Sequence, residues 1–163
     1  MRKISAIIRD VELKVLVIGA NGQVGWELVR RGASMGLQMV EVDLPEIDIT
    51  LPGSVKKTMD QNEFALVVNA AAYTAVDRAE SEPRLAFAVN RDGPAHLASN
   101  CAKAGIPRVH ISTDNVFDGR KKGPYLESDP VSPESVYGKS KAAGELEVRN
   151  RLQNHNILRT SWL

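Results

Sequence analysis

Lys14-Val15-Leu16-Val17-Ile18 runs directly into Gly19-Ala20-Asn21-Gly22-Gln23-Val24-Gly25. A continuous apolar run, unlike an alternating one, predicts a strand covered on both faces, as in a parallel sheet. The three spaced glycines predict a tight turn into a helix. The first permits the turn, the second lets backbone approach a pyrophosphate, and the third allows close helix–sheet packing. The helix N-terminus then offers unpaired N–H groups and a positive dipole end to phosphates. Gly19, Asn21, Gly22, Gln23, Val24 and Gly25 are therefore candidate cofactor-binding residues.

The rest of the chain repeats the strand-and-helix pattern. A helix is predicted from about Gly22 to Met35, a second strand over Gln38 to Val42, a short helix over Ser54 to Gln61 and a third strand over Ala65 to Asn69. Pro83 to Ala104 reads as the longest helix, with Ala86, Val89, Gly93, Leu97, Cys101 and Ala104 on one face, a kink or new turn at Pro94 and a stop at Gly105. Arg108 to Ile111 is the fourth strand, and a long loop spans Ser112 to Val131. Ser132-Pro133 supplies a cap and first-turn proline for a helix to about Leu152, and Asn156 to Arg159 is the fifth strand. Alternating strands and helices predict an α/β fold, a doubly wound, Rossmann-like parallel sheet with right-handed crossovers. One domain is expected over residues 14–163. Residues 1–13 form an N-terminal extension in which Ile4 to Ile8 make an extra strand or a mobile tail.

Composition excludes several classes of function. The 163 residues carry a formal net charge of +1, without the basic excess of a nucleic-acid-binding domain. Arg120-Lys121-Lys122 sits among glycines and a proline and reads as a solvated loop tip. The single cysteine, Cys101, rules out an intrachain disulfide and reads as a small core residue. His96, His110 and His155, placed on a helix, in a strand and in a loop, stand in no metal-ligand pattern, so no metal site is expected from them. No apolar run is long enough for a membrane span and no signal-peptide core is evident, so the expected compartment is the cytoplasm.

Asp43 closes the second strand, where a carboxylate accepts hydrogen bonds from an adenine-side ribose and repels a 2′-phosphate. That leans toward NADH and leaves NADPH open. Asp48 either flanks the adenine with Ile49 or caps the following turn. Ala70, Ala71, Ala72 and Tyr73 leave the third strand at the end where ligands bind in open α/β sheets, and small residues there let a flat cofactor pass. Thr113 leaves the fourth strand on the same edge, where its hydroxyl serves a substrate carbonyl, orients Tyr137 or caps a turn. Tyr137 and Lys141, four residues apart, share one face of a helix. An ammonium beside a phenol favours the phenolate and is expected to lower the phenol pKa toward the range of a general acid.

Together these motifs, with Ser112-Thr113-Asp114, Val116-Phe117-Asp118-Gly119, Arg159-Thr160-Ser161-Trp162 and Gly138-Lys139-Ser140-Lys141-x-Ala143-Gly144-Glu145, resemble the extended short-chain dehydrogenases/reductases. More closely, they are similar to the dTDP-4-dehydrorhamnose reductase family. The resemblance covers about residues 14–163. It implies NADH- or NADPH-dependent reduction of the 4-keto group of a sugar nucleotide, giving dTDP-L-rhamnose. It also implies catalytic roles for Thr113, Tyr137 and Lys141, with Tyr137 and Lys141 also touching the cofactor, and contacts of Thr74 and Trp162 with the sugar nucleotide. Asn115 stands where the family usually has tyrosine, a position near the sugar. The family sometimes uses Mg²⁺ at a subunit contact, for which no ligands are placed here. Family members are longer, so the chain is expected to hold the cofactor-binding part, to be weakly active or inactive alone, and to associate with itself or a partner through the side the further residues would cover. The competing readings are a non-catalytic NAD(P)-binding regulatory module and a truncated remnant.

Overall fold

A computed structural model describes residues 13–161. The proposed extension strand at Ile4 to Ile8 and the substrate contact Trp162 lie outside the described residues.

Five strands form one parallel sheet in the order β2-β1-β3-β4-β5. They are β1 (Lys14–Ile18), β2 (Gln38–Val42), β3 (Leu66–Asn69), β4 (Arg108–Thr113) and β5 (His155–Thr160). Around them lie α1 (Gln23–Ser34), α2 (Pro52–Met59), α3 (Val76–Ala79), α4 (Pro83–Phe87), α5 (Gly93–Ala104) and α6 (Val136–Arg151), with a π turn at Ala88–Asp92 and a 3-10 turn at Asp114–Val116. The sheet is covered on both faces, as the apolar run of β1 requires. Leu16, Ile18 and Val67 pack with Val55, Leu97, Ala98 and Cys101 on one side. Val15, Val17 and Val68 pack with Leu28 and Val29 on the other. Successive residues of a strand point to opposite faces, so one apolar run builds two cores. No helix among the described residues is long and apolar enough to cross a membrane.

The predicted strands are found, with β4 and β5 each running further than expected. His155 opens β5 and is not in a loop. The short helix α3 was not anticipated, and α2 begins at Pro52, before the predicted Ser54. The cap of α6 is Ser135, whose Oγ accepts from the Gly138 N–H at 3.0 Å. Ser132 does not cap it because the helix begins only at Val136, leaving Ser132 three residues upstream of the cap. Arg120 and Lys121 are loop-tip residues paired with Glu134 and Asp129.

The long helix over 83–104 is divided by its own sequence. Pro94 has no N–H, and its ring clashes with the carbonyl four residues back, that of Asn90. The backbone opens into the π turn, where the Gly93 N–H bonds to the Ala88 carbonyl five residues earlier. The displaced Asn90 carbonyl presses on α6 at Gly144, where a Cβ would stand 2.0 Å from it.

Candidate active site

Chain order reverses between β1 and β3, which makes the crevice at their C-terminal ends the topological switch point of the sheet. Gly19 leaves β1 with φ +82, and a Cβ there would lie 2.4 Å from the Ala71 N. A Cβ on Gly25 would lie 2.1 Å from the Gly19 carbonyl oxygen. These two glycines are demanded by packing. Gly22 is not: its Cβ would meet nothing closer than 3.4 Å. What Gly22 leaves bare is backbone facing the crevice at the start of α1, a cradle suited to a pyrophosphate.

Two cavities meet at this turn, sharing Gly22, Ala70, Ala72 and Thr74. The first, of about 450 Å³, continues past Gly19 to Asp43, Asp48, Ile49, Ala71 and Tyr73. Asp43 is pinned by backbone: its Oδ2 accepts from the Asn21 N–H at 2.9 Å and its Oδ1 from the Leu44 N–H at 2.8 Å. Asp48 caps the turn after it, with Oδ1 accepting from the Thr50 N–H at 2.9 Å and the Thr50 hydroxyl at 2.7 Å. Ile49 belongs to the core, wedged against Gly93, while also lining this cavity. Among the described residues, no lysine or arginine lines it.

The second cavity, of about 510 Å³, brings together Gln23, Val24, Gly25, Thr113, Asn115, Tyr137 and Lys141. Tyr137 and Lys141 are buried on α6 and Thr113 at the end of β4. The electrostatics differ from the expectation. Burial pushes the Tyr137 phenol up from its ordinary value, with Thr113 pulling the other way. Lys141 takes no part in that shift; its Nζ donates to the Ile111 carbonyl at 2.8 Å. Burial, with Arg108 adding to it, brings Lys141 itself down to about 8, and Glu145 opposes that shift. The Thr113 Oγ1 caps the 3-10 turn, accepting from the Asn115 N–H at 3.2 Å and the Asn115 Nδ2 at 3.1 Å. Asn115 is exposed at the rim.

Sequence reasoning missed Asn90. Its buried side chain clamps the backbone of Tyr73, accepting from the N–H at 2.9 Å and donating to the carbonyl at 3.0 Å. The same Nδ2 reaches the Ser140 hydroxyl on α6 at 3.0 Å. Asn90 thus holds the crevice-lining loop after β3 against the helix bearing Tyr137 and Lys141. The one signal for it in the sequence is Pro94, four residues on. Deeper in the fold, Arg108 and His110 are both fully buried, and burial holds His110 neutral. Cys101 is core, its thiol pushed up to about 11 by burial. Among the described residues no group of three or more histidine, cysteine or acidic side chains is placed to hold a metal ion.

Residues 13–163 match the family model described as the RmlD substrate binding domain. A dTDP-4-dehydrorhamnose reductase of Sinorhizobium fredii is 44% identical over 151 residues, covering 93% of this chain and 51% of that protein. The crystal structure of a dTDP-4-dehydrorhamnose reductase from Clostridium acetobutylicum is 39% identical with a TM-score of 0.89, over 92% of this chain and 54% of that one. That of the Bacillus anthracis enzyme in complex with NADP is 34% identical with a TM-score of 0.90, over 93% of this chain and 54% of that one. The chain spans about half the length of the curated relatives it matches.

Proposed function

The chain belongs to the RmlD substrate binding domain family, and from that premise we propose that it carries the nicotinamide-cofactor site and proton donor of a sugar-nucleotide reductase. The proposed reaction is reduction of dTDP-4-dehydrorhamnose to dTDP-L-rhamnose. The observation that carries the proposal is the meeting of Tyr137, Thr113 and Lys141 with the Gly22–Gly25 turn in a single cavity.

In this reading the bare backbone at Gly22 and the N-terminus of α1 hold the pyrophosphate, and Asp43 receives the adenine ribose. Asp48 and Ile49 wall the adenine, and Ala70, Ala71, Ala72 and Tyr73 form the floor over which the cofactor lies. When bound, the nicotinamide supplies hydride to the keto carbon. Burial keeps the Tyr137 phenol neutral, so its proton is available to the oxygen that becomes a hydroxyl. The Thr113 hydroxyl sits beside that phenol and steadies the same oxygen. Lys141, seated on the Ile111 carbonyl, holds the nicotinamide ribose hydroxyls. Thr74 and Asn115 at the rim, with Trp162, meet the sugar nucleotide.

Among the described residues, two carboxylates and no cation line the adenine end. We therefore propose NADH as the preferred cofactor over NADPH. The test is titration of the full chain with NADH, followed by tryptophan fluorescence and calorimetry. Saturable binding is expected, and Gly22→Val is expected to abolish it with little loss of stability, since a Cβ there meets only the Gly19 carbonyl oxygen, at 3.4 Å. With the keto sugar nucleotide the chain alone is expected to turn over weakly or not at all. No NADH binding by the wild-type chain would overturn the proposal, as would binding unaffected by Gly22→Val.

A further inference from the structure

Tyr137 is the second residue of α6, so its phenol stands wherever the first turn of that helix stands. The opening turn of a helix has N–H groups without intrahelical partners, and it frays unless something outside holds them. Ser135 holds one, its Oγ accepting from the Gly138 N–H at 3.0 Å. The Val136 N–H, next to Tyr137, is held by another element. It donates to the Glu80 Oε1 at 2.8 Å, across 56 positions of chain.

The contact is doubled. Ala79, directly before Glu80, is fully buried in one apolar cluster with Ala86 and Tyr137, with Tyr73 and Val136 packed against it. Two adjacent residues at the end of α3 therefore grip two adjacent residues at the start of α6, one through a methyl group and one through a carboxylate. The carboxylate also meets the positive end of the helix dipole. Arg78, the cation of the same turn, is paired elsewhere: its Nη2 donates to the Glu82 Oε1 at 2.7 Å. On the other side of the first turn lies the Asn115 carbonyl, so close that a Cβ on Gly138 would stand 2.3 Å from its oxygen. The turn that bears Tyr137 is thus held between α3 and the 3-10 turn after β4.

We propose that Glu80 is a positioning residue: by holding the Val136 N–H it keeps the first turn of α6 closed and the Tyr137 phenol in the cavity it shares with Thr113 and Lys141. Its bearing on cofactor binding rests on the function proposed above. The alternative is a cap that adds stability to the whole fold, with Tyr137 keeping its place when the cap is removed.

The test compares the full wild-type chain with Glu80→Ala by NMR. The Lys139 amide, which bonds to the Ser135 carbonyl at 2.9 Å, is expected to exchange with solvent about fivefold faster in the variant, while the Val148 amide later in α6 stays within about twofold. Nuclear Overhauser contacts between the Tyr137 ring and the Ala79 methyl are expected to weaken. Glu80→Gln keeps an oxygen acceptor and is expected to restore both. Glu80→Asp keeps the charge but falls one methylene short of Val136. It is expected to repeat the alanine result, so it decides the matter if Glu80→Ala fails to fold. Equal acceleration at Lys139 and Val148, with the Tyr137–Ala79 contacts unchanged, would overturn the proposal and leave only a stabilising cap. Binding gives the second arm. NADH affinity is expected to fall about threefold in Glu80→Ala, whereas AMP, which reaches only the adenine end, is expected to bind as it does to wild type. NADH and AMP affinities falling together would also overturn the proposal. A wild-type chain that binds no NADH would refute the proposed function, while the exchange rates and ring contacts would still judge Glu80.

Discussion

Lys141 is a buried ammonium whose charge the fold tolerates at a cost. Below pH 8 the folded chain holds that charge away from water, whereas the unfolded chain hydrates it, so the residue destabilises the fold. As pH rises past about 8, the folded lysine releases its proton, while the unfolded one, with a pKa of about 10.4, keeps it. Stability contributed by this group therefore increases from about pH 8 upward. Cys101 works in the other direction. Its thiol, raised to about 11 by burial, stays protonated while the unfolded thiol ionises, and its contribution is lost as pH climbs. Comparing wild type with Lys141→Met separates the two. The methionine variant is expected to be the more stable at pH 7, and its advantage to shrink between pH 8 and pH 10. Urea titrations at three pH values measure this, and a gap independent of pH would contradict it. Asp43 carries a different prediction. With both oxygens fixed by backbone N–H groups, it cannot turn away from a 2′-phosphate. NADH is expected to bind at least about tenfold more tightly than NADPH, a difference of about 1.4 kcal/mol. Asp43→Ala is expected to narrow that gap from both sides, read by calorimetry with each cofactor.

At the scale of elements, the contact between α6 and the π turn is the joint of the site. Pro94 forces the Asn90 carbonyl out of register, and Gly144 is bare enough to receive it. A methyl group at 144 would collide with the Asn90 backbone carbonyl, which cannot move aside as a side-chain tip can. Overpacking of this kind costs ~1–3 kcal/mol and occasionally more, and the better helix propensity of alanine returns only ~1 kcal/mol. Gly144→Ala is therefore expected to lower stability by about 2 kcal/mol and to weaken NADH binding, because Asn90 loses its hold on the Tyr73 backbone. Gly53→Ala is the matched control, since nothing lies within 4 Å of its Cβ position; it is expected to be neutral or slightly stabilising. Equal losses in both variants by urea denaturation would rule out the joint. The start of α6 shows why caps are hard to assign by eye. Ser132 and Ser135 are both suitable residues, but the helix starts at Val136, so only the Ser135 hydroxyl reaches a first-turn N–H.

Across the whole molecule, β5 pairs with β4 along one side only, among the described residues. Leu158 on that strand is 51% exposed, and Leu126 nearby is 56% exposed. An unpaired strand edge with apolar neighbours is a template for further pairing. The chain is expected to associate in a concentration-dependent way through β5, and Leu158→Lys to reduce that association. Sedimentation velocity over a wide concentration range tests this, and a clean wild-type monomer at high concentration would contradict it. The adenine end of the expected cofactor cleft lies elsewhere, at the switch between β1 and β3, whereas Thr160 of β5 lines the cavity that holds Tyr137.

How much of this was legible in the sequence depends on how local the cause is. The parallel sheet followed from continuous apolar runs, and the glycine turn from spacing, because both act within a few residues. The same holds for the pairing of Tyr137 with Lys141, which helical periodicity alone places on one face. Sequence also placed Gly19, Asp43, Ala70–Ala72, Thr113 and Asn115 near strand ends, where the fold gathers them into two adjoining cavities. What the sequence did not determine is charge and hydrogen-bond allocation. The expected lowering of the Tyr137 phenol is overturned because burial dominates, with the Asp114 carboxylate pushing the same way. Asn90 was invisible as a site residue because its partners lie 17 to 50 positions away in the chain. Local sequence determines which element forms. Which polar group is desolvated, and by what it is satisfied, depends on elements meeting in space, and only the tertiary structure decides that.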